Sequence, residues 1–288
     1  MGMKVWVTGG AGQLGKCVAA TLPVGVDAVF TSRNDVDLSE TTAIVDFIEK
    51  EGITHLVNTA AYTAVDRAED EPGAAEYGNV QLVENLAKAC KIKEVTFLHV
   101  STDFVYGGPV DGLRKESDHP HPTGVYGETK LRGEHVLASS GVNFIILRTS
   151  WLYSDLNQNF FNTMKRLLGE GRDLKVVADQ IGSPTLAYDL ANFIWFLLSN
   201  EEIRKQHLNS IINFSNEGVA SWYDFALAIK EECNLSGSIT PCTTEEFPTK
   251  AQRPFFSKMD LQKVRSTGFV NRHWREALRA VPTPSTGS

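Results

Sequence analysis

Residues 4–15 read KVWVTGGAGQLG, an apolar strand that runs into Gly9, Gly12 and Gly15 and then into a helical pattern. Each glycine meets a different demand. The first permits a tight turn, the second lets backbone approach a pyrophosphate, and the third lets helix and strand pack closely. The helix that follows offers free N–H groups and the positive end of its dipole to phosphate oxygens. A glycine triplet alone is a weak signal, shared with plain strand–helix turns. Its position at the first junction of a strand–helix series gives it weight. Gly9, Gly12, Gln13, Leu14 and Gly15 are therefore candidate dinucleotide contacts.

That series continues outward from the turn. Strand-length apolar runs at 28–31, 55–58, 95–101 and 143–148 alternate with helical patterns at 41–51, 79–91 and 124–139. Such alternation predicts a parallel sheet covered by helices on both faces. The expected fold class is α/β: a Rossmann-type doubly wound sheet over residues 1–150, followed by a smaller C-terminal substrate-binding lobe over 151–280. Parts of 171–200 are expected to return to the first domain. Residues 281–288, poor in apolar side chains, read as a disordered tail.

Composition narrows the partners. The 288 residues carry 42% apolar side chains and a net charge of −7, with no Lys/Arg run, so no nucleic acid is expected. No apolar run reaches about 18 residues, and the stretch before the first glycine turn is too short for a signal peptide, so no membrane contact is expected. Cys17, Cys90, Cys233 and Cys242 form no CxxC pair or Cys/His cluster. Reduced thiols, no metal and a cytoplasmic location follow as expectations.

The second strand ends in Thr31-Ser32-Arg33 without an acid at its tip. An acid there would hold the ribose 2′-hydroxyl and repel a 2′-phosphate, whereas Arg33 can pair with that phosphate. NADPH is favoured, with NADH as the alternative. Asp37 and Leu38 are placed to line the adenine pocket, and Ala60 and Ala61 give close backbone access after the third strand. Ser101-Thr102-Asp103 closes the next strand at the sheet edge where ligands bind. Tyr126 and Lys130 then stand four apart on a helix, hence on one face. An ammonium beside a phenol lowers its pKa. Thr102 is the candidate group for orienting a substrate oxygen.

Further segments carry a resemblance. GQLG at 12–15, NTAAYTAVDRAE at 58–69, STD at 101–103, YGETKLRGE at 126–134, RTSWLY at 148–153, DQIGSPT at 179–185 and Arg253-Pro254 with Ser257 together resemble the dTDP-4-dehydrorhamnose reductases among the extended short-chain dehydrogenases/reductases. The resemblance reaches to about residue 280. It implies reduction of the 4-keto group of a dTDP-6-deoxy-L-hexulose to dTDP-L-rhamnose. Tyr126 would donate the proton, Lys130 would lower its pKa and hold the nicotinamide ribose, and Thr102 would orient the carbonyl. It further implies cofactor contacts at Ala61, Tyr62 and Thr63. Nucleotide-sugar contacts would fall at Val65, Thr102, Asp103, Phe104, Tyr126 and Trp151, with Arg253 toward the diphosphate.

Two departures stand out. Phe104 replaces a usual tyrosine. Cys17 stands where some relatives have a glutamate of a magnesium-linked dimer, which puts Mg2+ in doubt while leaving a homodimer open. Two other readings remain: another NDP-sugar reductase or epimerase, and a non-catalytic NADP-binding regulatory subunit like that of methionine adenosyltransferase.

Overall fold

The computed structural model describes residues 2–108 and 112–282. Within it, the apolar stretches become the strands of one sheet. β1 (Lys4–Thr8), β2 (Asp27–Thr31), β3 (His55–Asn58), β4 (Thr96–Thr102), β5 (Phe144–Thr149) and β6 (Ser210–Phe214) lie in the order β6-β5-β4-β3-β1-β2. Every neighbouring pair is parallel. Val5, Trp6 and Val7 are fully buried, which is why β1 is a continuous apolar run rather than an alternating one. Strand order reverses at β1, flanked by β2 on one side and β3 on the other, so the crevice at their carboxyl ends is where an α/β sheet takes its ligand.

Helices cover both faces. α1 (Gln13–Ala20) lies on one of them, where Leu14, Cys17 and Val18 join Val5 and Val7 in a single core. α2 (Thr41–Glu51), α3 (Leu82–Ile92) and α4 (Val125–Ser139) serve the other, where Ile44, Leu86 and Leu137 pack with Trp6, Leu56 and Phe97. Burial pushes the Cys17 thiol up to about 11.

Beyond β5 the chain leaves the sheet and comes back to it. α5 (Phe160–Gly169), the parallel strand pair Leu174–Val177 and Ile239–Cys242, and α7 (Trp222–Glu232) enclose a second core around Tyr153, Phe161, Leu168, Phe225 and Trp274. Between them α6 (Ala187–Ser199) and β6 rejoin the first core. The loosened strand–helix rhythm after Arg148 hid β6, whose Ile211-Ile212-Asn213-Phe214 run is short and interrupted by a polar residue. Val281, assigned to the tail from sequence, packs against the second core. Residues 283–288 of that tail lie outside the described residues. No helix among the described residues is long and apolar enough to cross a membrane.

Three features fix α4 against the sheet. Gly133 lets it touch the preceding helical segment: a Cβ there would sit 2.2 Å from the Asn79 carbonyl oxygen. Glu134 is buried and receives Arg148 from β5 through two nitrogens, at 3.0 Å from Nε and 2.6 Å from Nη2. Ser101 at the end of β4 donates to the same carboxylate at 2.5 Å. Arg148 also donates to the Tyr106 hydroxyl at 2.7 Å, and that hydroxyl donates to Asn213 of β6 at 2.9 Å. One network thus joins α4, β4, β5 and β6.

Replacing Arg148 with Met leaves the Glu134 carboxylate buried without its cation. This should cost about 3–5 kcal/mol of stability, read as a lower midpoint in urea unfolding. A loss under about 1 kcal/mol, the range of an exposed pair, would show that the network does not hold the helix.

Candidate active site

A cleft of about 1240 Å³ opens along the carboxyl ends of β1 to β5 and is closed on its far side by the C-terminal lobe. Its floor begins with the glycine turn. Gly9 sits at φ +71°, and a Cβ there would meet the Ala60 backbone nitrogen at 2.7 Å. Gly12 caps α1 in extended conformation and no side chain bonds the helix N-terminus, so the first N–H groups stay available at the cleft. Gly12, Gln13 and Leu14 line it. Gly15 does not. It lies beneath the turn, where a Cβ would come within 2.3 Å of the Gly9 carbonyl oxygen. Its role is close packing, and the direct cofactor contact expected for it is corrected accordingly.

At the tip of β2, Ser32 and Arg33 line the cleft together with Asp37 and Leu38. The two acids nearby are held in local turns. Asp35 accepts from the Ser32 backbone N–H and hydroxyl at 2.6 and 2.8 Å, and Asp37 accepts from the Ser39 N–H and hydroxyl at 2.9 and 2.7 Å. These bonds hold both carboxyls below the usual range. Arg33 lines the cleft beside them. Ala60, Ala61, Tyr62, Thr63 and Val65 follow β3 along the same wall. The Tyr62 backbone is fixed by Asn79, which accepts from its N–H at 2.9 Å.

Thr102, Asp103, Phe104 and Tyr126 meet at the foot of the cleft. Phe104 stands edge-on to Tyr126 with ring centres 5.4 Å apart. Tyr126 is half-buried at the cleft, and desolvation pushes its phenol up to about 12, while the neighbouring Thr102 hydroxyl works the other way. Burial likewise raises Asp103 to about 6, opposed by hydrogen bonds from Ser257 and Thr102. Asp103 Oδ2 is buried without a partner among the described residues.

Lys130 lines the cleft one turn beyond Tyr126, but its ammonium does not serve the phenol in this arrangement. Nζ donates to the Val100 carbonyl at 2.8 Å and lies 3.2 Å from His99 Nε2. Shared helix face did place the two residues together. In this arrangement burial, with no contribution from the lysine charge, dominates the phenol. Burial lowers Lys130 itself to about 8, with Glu134 opposing.

Trp151 forms the opposite wall at φ +47°, a left-handed conformation unusual for a bulky side chain. Its indole stacks on Trp222 with ring centres 3.6 Å apart, and on the other side a Cβ at Gly182 would come within 2.6 Å of it. Arg253 is not among the residues lining the cleft; Asp66, next to Val65, holds it in an ion pair at 2.7 Å.

Residues the sequence reading missed are Asn58, His99 and Trp222. Asn58 and His99 face each other across β3 and β4 in register, a polar pair inside otherwise apolar strands. That break in the apolar pattern was the available signal. Trp222 comes from 71 residues beyond Trp151 in the chain, and nothing local links them.

Comparison with known proteins agrees with this arrangement. The family model described as RmlD substrate binding domain matches residues 3–285. The dTDP-4-dehydrorhamnose reductase of Aggregatibacter actinomycetemcomitans is 35% identical over 96% of this chain and 98% of its own length. A crystal structure of a dTDP-4-dehydrorhamnose reductase from Clostridium acetobutylicum superposes with a TM-score of 0.91 at 34% identity, covering 97% of this chain and 98% of that one. One from Bacillus anthracis, in complex with NADP, has a TM-score of 0.91 at 32% identity, covering 98% and 99%. Fold and similarity over the whole length converge: the chain belongs to the dTDP-4-dehydrorhamnose reductase family of NAD(P)H-dependent oxidoreductases.

Proposed function

We propose that this chain reduces the 4-keto group of a dTDP-6-deoxy-L-hexulose, giving dTDP-L-rhamnose, with NADPH as reductant and Tyr126 as proton donor. The observation that carries the reading is the half-buried Tyr126 beside Thr102, in the same cleft as an uncapped helix N-terminus behind a glycine turn. The residues fit a dinucleotide on structural grounds. Gly9 leaves no Cβ between the turn and Ala60, the α1 N–H groups are open, and Arg33 lines the end of the cleft suited to a 2′-phosphate. When bound, the cofactor supplies the hydride.

The chain's own groups do the rest. Thr102 hydrogen-bonds the ketone oxygen and orients it. Tyr126, neutral at any working pH because burial holds its proton, donates that proton as charge builds on the oxygen. The Trp151 indole gives a deoxysugar a flat apolar wall. Val65, Asp103 and Phe104 complete the sugar side, and Asp103 offers its unpartnered carboxyl oxygen to a sugar hydroxyl. Where a tyrosine is usual, Phe104 contributes its ring edge to Tyr126 and no hydroxyl to the sugar. The reaction is assigned to the cytoplasm.

Oxidation of NADPH on adding dTDP-4-dehydro-6-deoxy-L-mannose tests the reading directly. Wild type should turn over, and Tyr126→Phe should lose about 10²- to 10⁴-fold in kcat with the urea midpoint unchanged. NADP binding without any turnover would instead favour a regulatory role. Full activity in the variant would remove Tyr126 as the acid.

The cofactor preference has its own test. Arg33→Ala should raise the KM for NADPH by about tenfold, the loss of one charge-assisted contact, and leave that for NADH unchanged. Equal effects on the two cofactors would place Arg33 outside the 2′-phosphate site.

A further inference from the structure

Beneath the cleft a chain of polar groups runs from β1 to the catalytic helix. Thr8 donates its hydroxyl proton to Asn58 Oδ1 at 2.6 Å, Asn58 Nδ2 meets His99 Nδ1 at 3.0 Å, and His99 Nε2 meets Lys130 Nζ at 3.2 Å. Asn58 and His99 are almost wholly enclosed, so each of these contacts must match a donor to an acceptor.

The orientation of Asn58 can be decided. The Ala60 backbone N–H reaches the same Asn58 oxygen at 3.1 Å, and a backbone N–H can only donate. The atom facing Ala60 is therefore oxygen, and the atom facing His99 is the NH2. His99 Nδ1 must accept. A neutral imidazole with Nδ1 accepting carries its proton on Nε2, and that N–H points at Lys130. An imidazolium would put a donor against the Asn58 NH2 as well, and burial beside the lysine holds the His99 pKa well below its ordinary value.

Lys130 thus faces a donor. As an ammonium it has three donors and no acceptor, and only the Val100 carbonyl accepts one of them at 2.8 Å. As a neutral amine it accepts from His99 Nε2–H and donates to Val100, and both contacts are satisfied.

We propose that His99 is a positioning residue: locked as the Nε2–H tautomer by Asn58 and Ala60, it turns a donor toward Lys130 that favours the neutral amine against β4, and so lowers the pH at which Lys130 gives up its proton. This assigns the network a part in the proposed reduction and rests on that reading for its catalytic consequence, though the tautomer does not depend on it. The lowering of Lys130 to about 8 is in the direction a facing donor adds to burial.

Other charges near α4 are already engaged. Glu134 is committed to Arg148 and Ser101. Asp103 acts on Tyr126. Glu76 with Arg132, Glu84 with Lys88, Arg67 with Glu71, and Asp66 with Arg253 pair on the helices that pack against it.

The test is nitrogen and carbon NMR on the full chain with labelled histidine and lysine, with the Lys130 signal identified by its loss in Lys130→Met. His99 should show the neutral Nε2–H tautomer from pH 6 to 9, and Lys130 should titrate near 8. In His99→Gln, whose side-chain oxygen can accept from an ammonium, Lys130 should titrate at least about one unit higher, and the alkaline limb of the pH–rate profile should move the same way. An Nδ1–H tautomer or an imidazolium in wild type overturns the proposal, as does an unmoved Lys130 in a folded His99→Gln. Should that variant not fold, the wild-type tautomer decides alone. Because these spectra need no substrate, an inactive protein with the Nε2–H tautomer would count against the proposed reduction and not against the lock.

Discussion

Lys130 and Glu134 lie one turn apart on α4 and are both 2% exposed, and the rest of the site is arranged around that burial. A charge removed from water costs several kcal/mol unless it is paired and hydrogen-bonded. The two side chains are relieved in opposite ways. Glu134 stays an anion because Arg148 meets it through two nitrogens and Ser101 donates to it. Among the described residues Lys130 has no carboxylate within bonding distance. Its relief comes from a carbonyl and an imidazole, and from a lowered pKa. Both solutions draw their partners from β4, so the helix and the strand that ends in Thr102 are held in one register. Tyr126 and Thr102 meet because Glu134 and Ser101 do.

The same burial decides what Tyr126 can do. A phenol held near 12 is a poor base at neutral pH, and it remains protonated. It can release its proton only to something more basic than phenolate. A sugar ketone is not, but the alkoxide forming from it is. In the proposed reduction, desolvation of Tyr126 couples proton release to the development of charge on the substrate oxygen, the behaviour of a general acid. The Thr102 hydroxyl, which donates to Asp103 at 3.2 Å beside Tyr126, offers that oxygen a positioned donor in the proposed reduction.

Much of this was readable before any coordinates, for a physical reason. The glycine turn, the strands to Arg148 and the pairing of Tyr126 with Lys130 all rest on short-range rules: chain reversal, period and helical spacing. The parallel sheet followed because strand–helix alternation has few solutions. What escaped depends on contacts distant in sequence. β6 joins the sheet only after the lobe has intervened, and its Asn213 is explained by Tyr106, 107 residues away. The partner of Arg253, Asp66, lies 187 residues earlier and could not be named from the sequence. The Tyr126 shift could not be read from spacing, which reports which groups are near, whereas burial depends on everything around them. His99 passed as one more strand residue because its meaning lies in a tautomer set by Asn58 and Ala60.

The far wall of the cleft shows how the second core bears on the first. Trp151 follows β5 by two residues and holds a left-handed backbone that costs of order 1–3 kcal/mol for a residue with a side chain. Local sequence cannot stabilise that conformation. It is held by the stack on Trp222, which itself leans on Phe160 with ring centres 4.6 Å apart, and by the space that Gly182 leaves for the indole. Gly182 pairs with Ala220, two residues before Trp222, so both sides of the indole are fixed by one small antiparallel bridge. The lobe thereby sets the position of the wall facing Tyr126, and a shift of that bridge would move the wall without touching the catalytic helix. In the proposed reduction, then, the acid is anchored on the sheet while the wall facing the sugar is set by the lobe, so the two can vary independently.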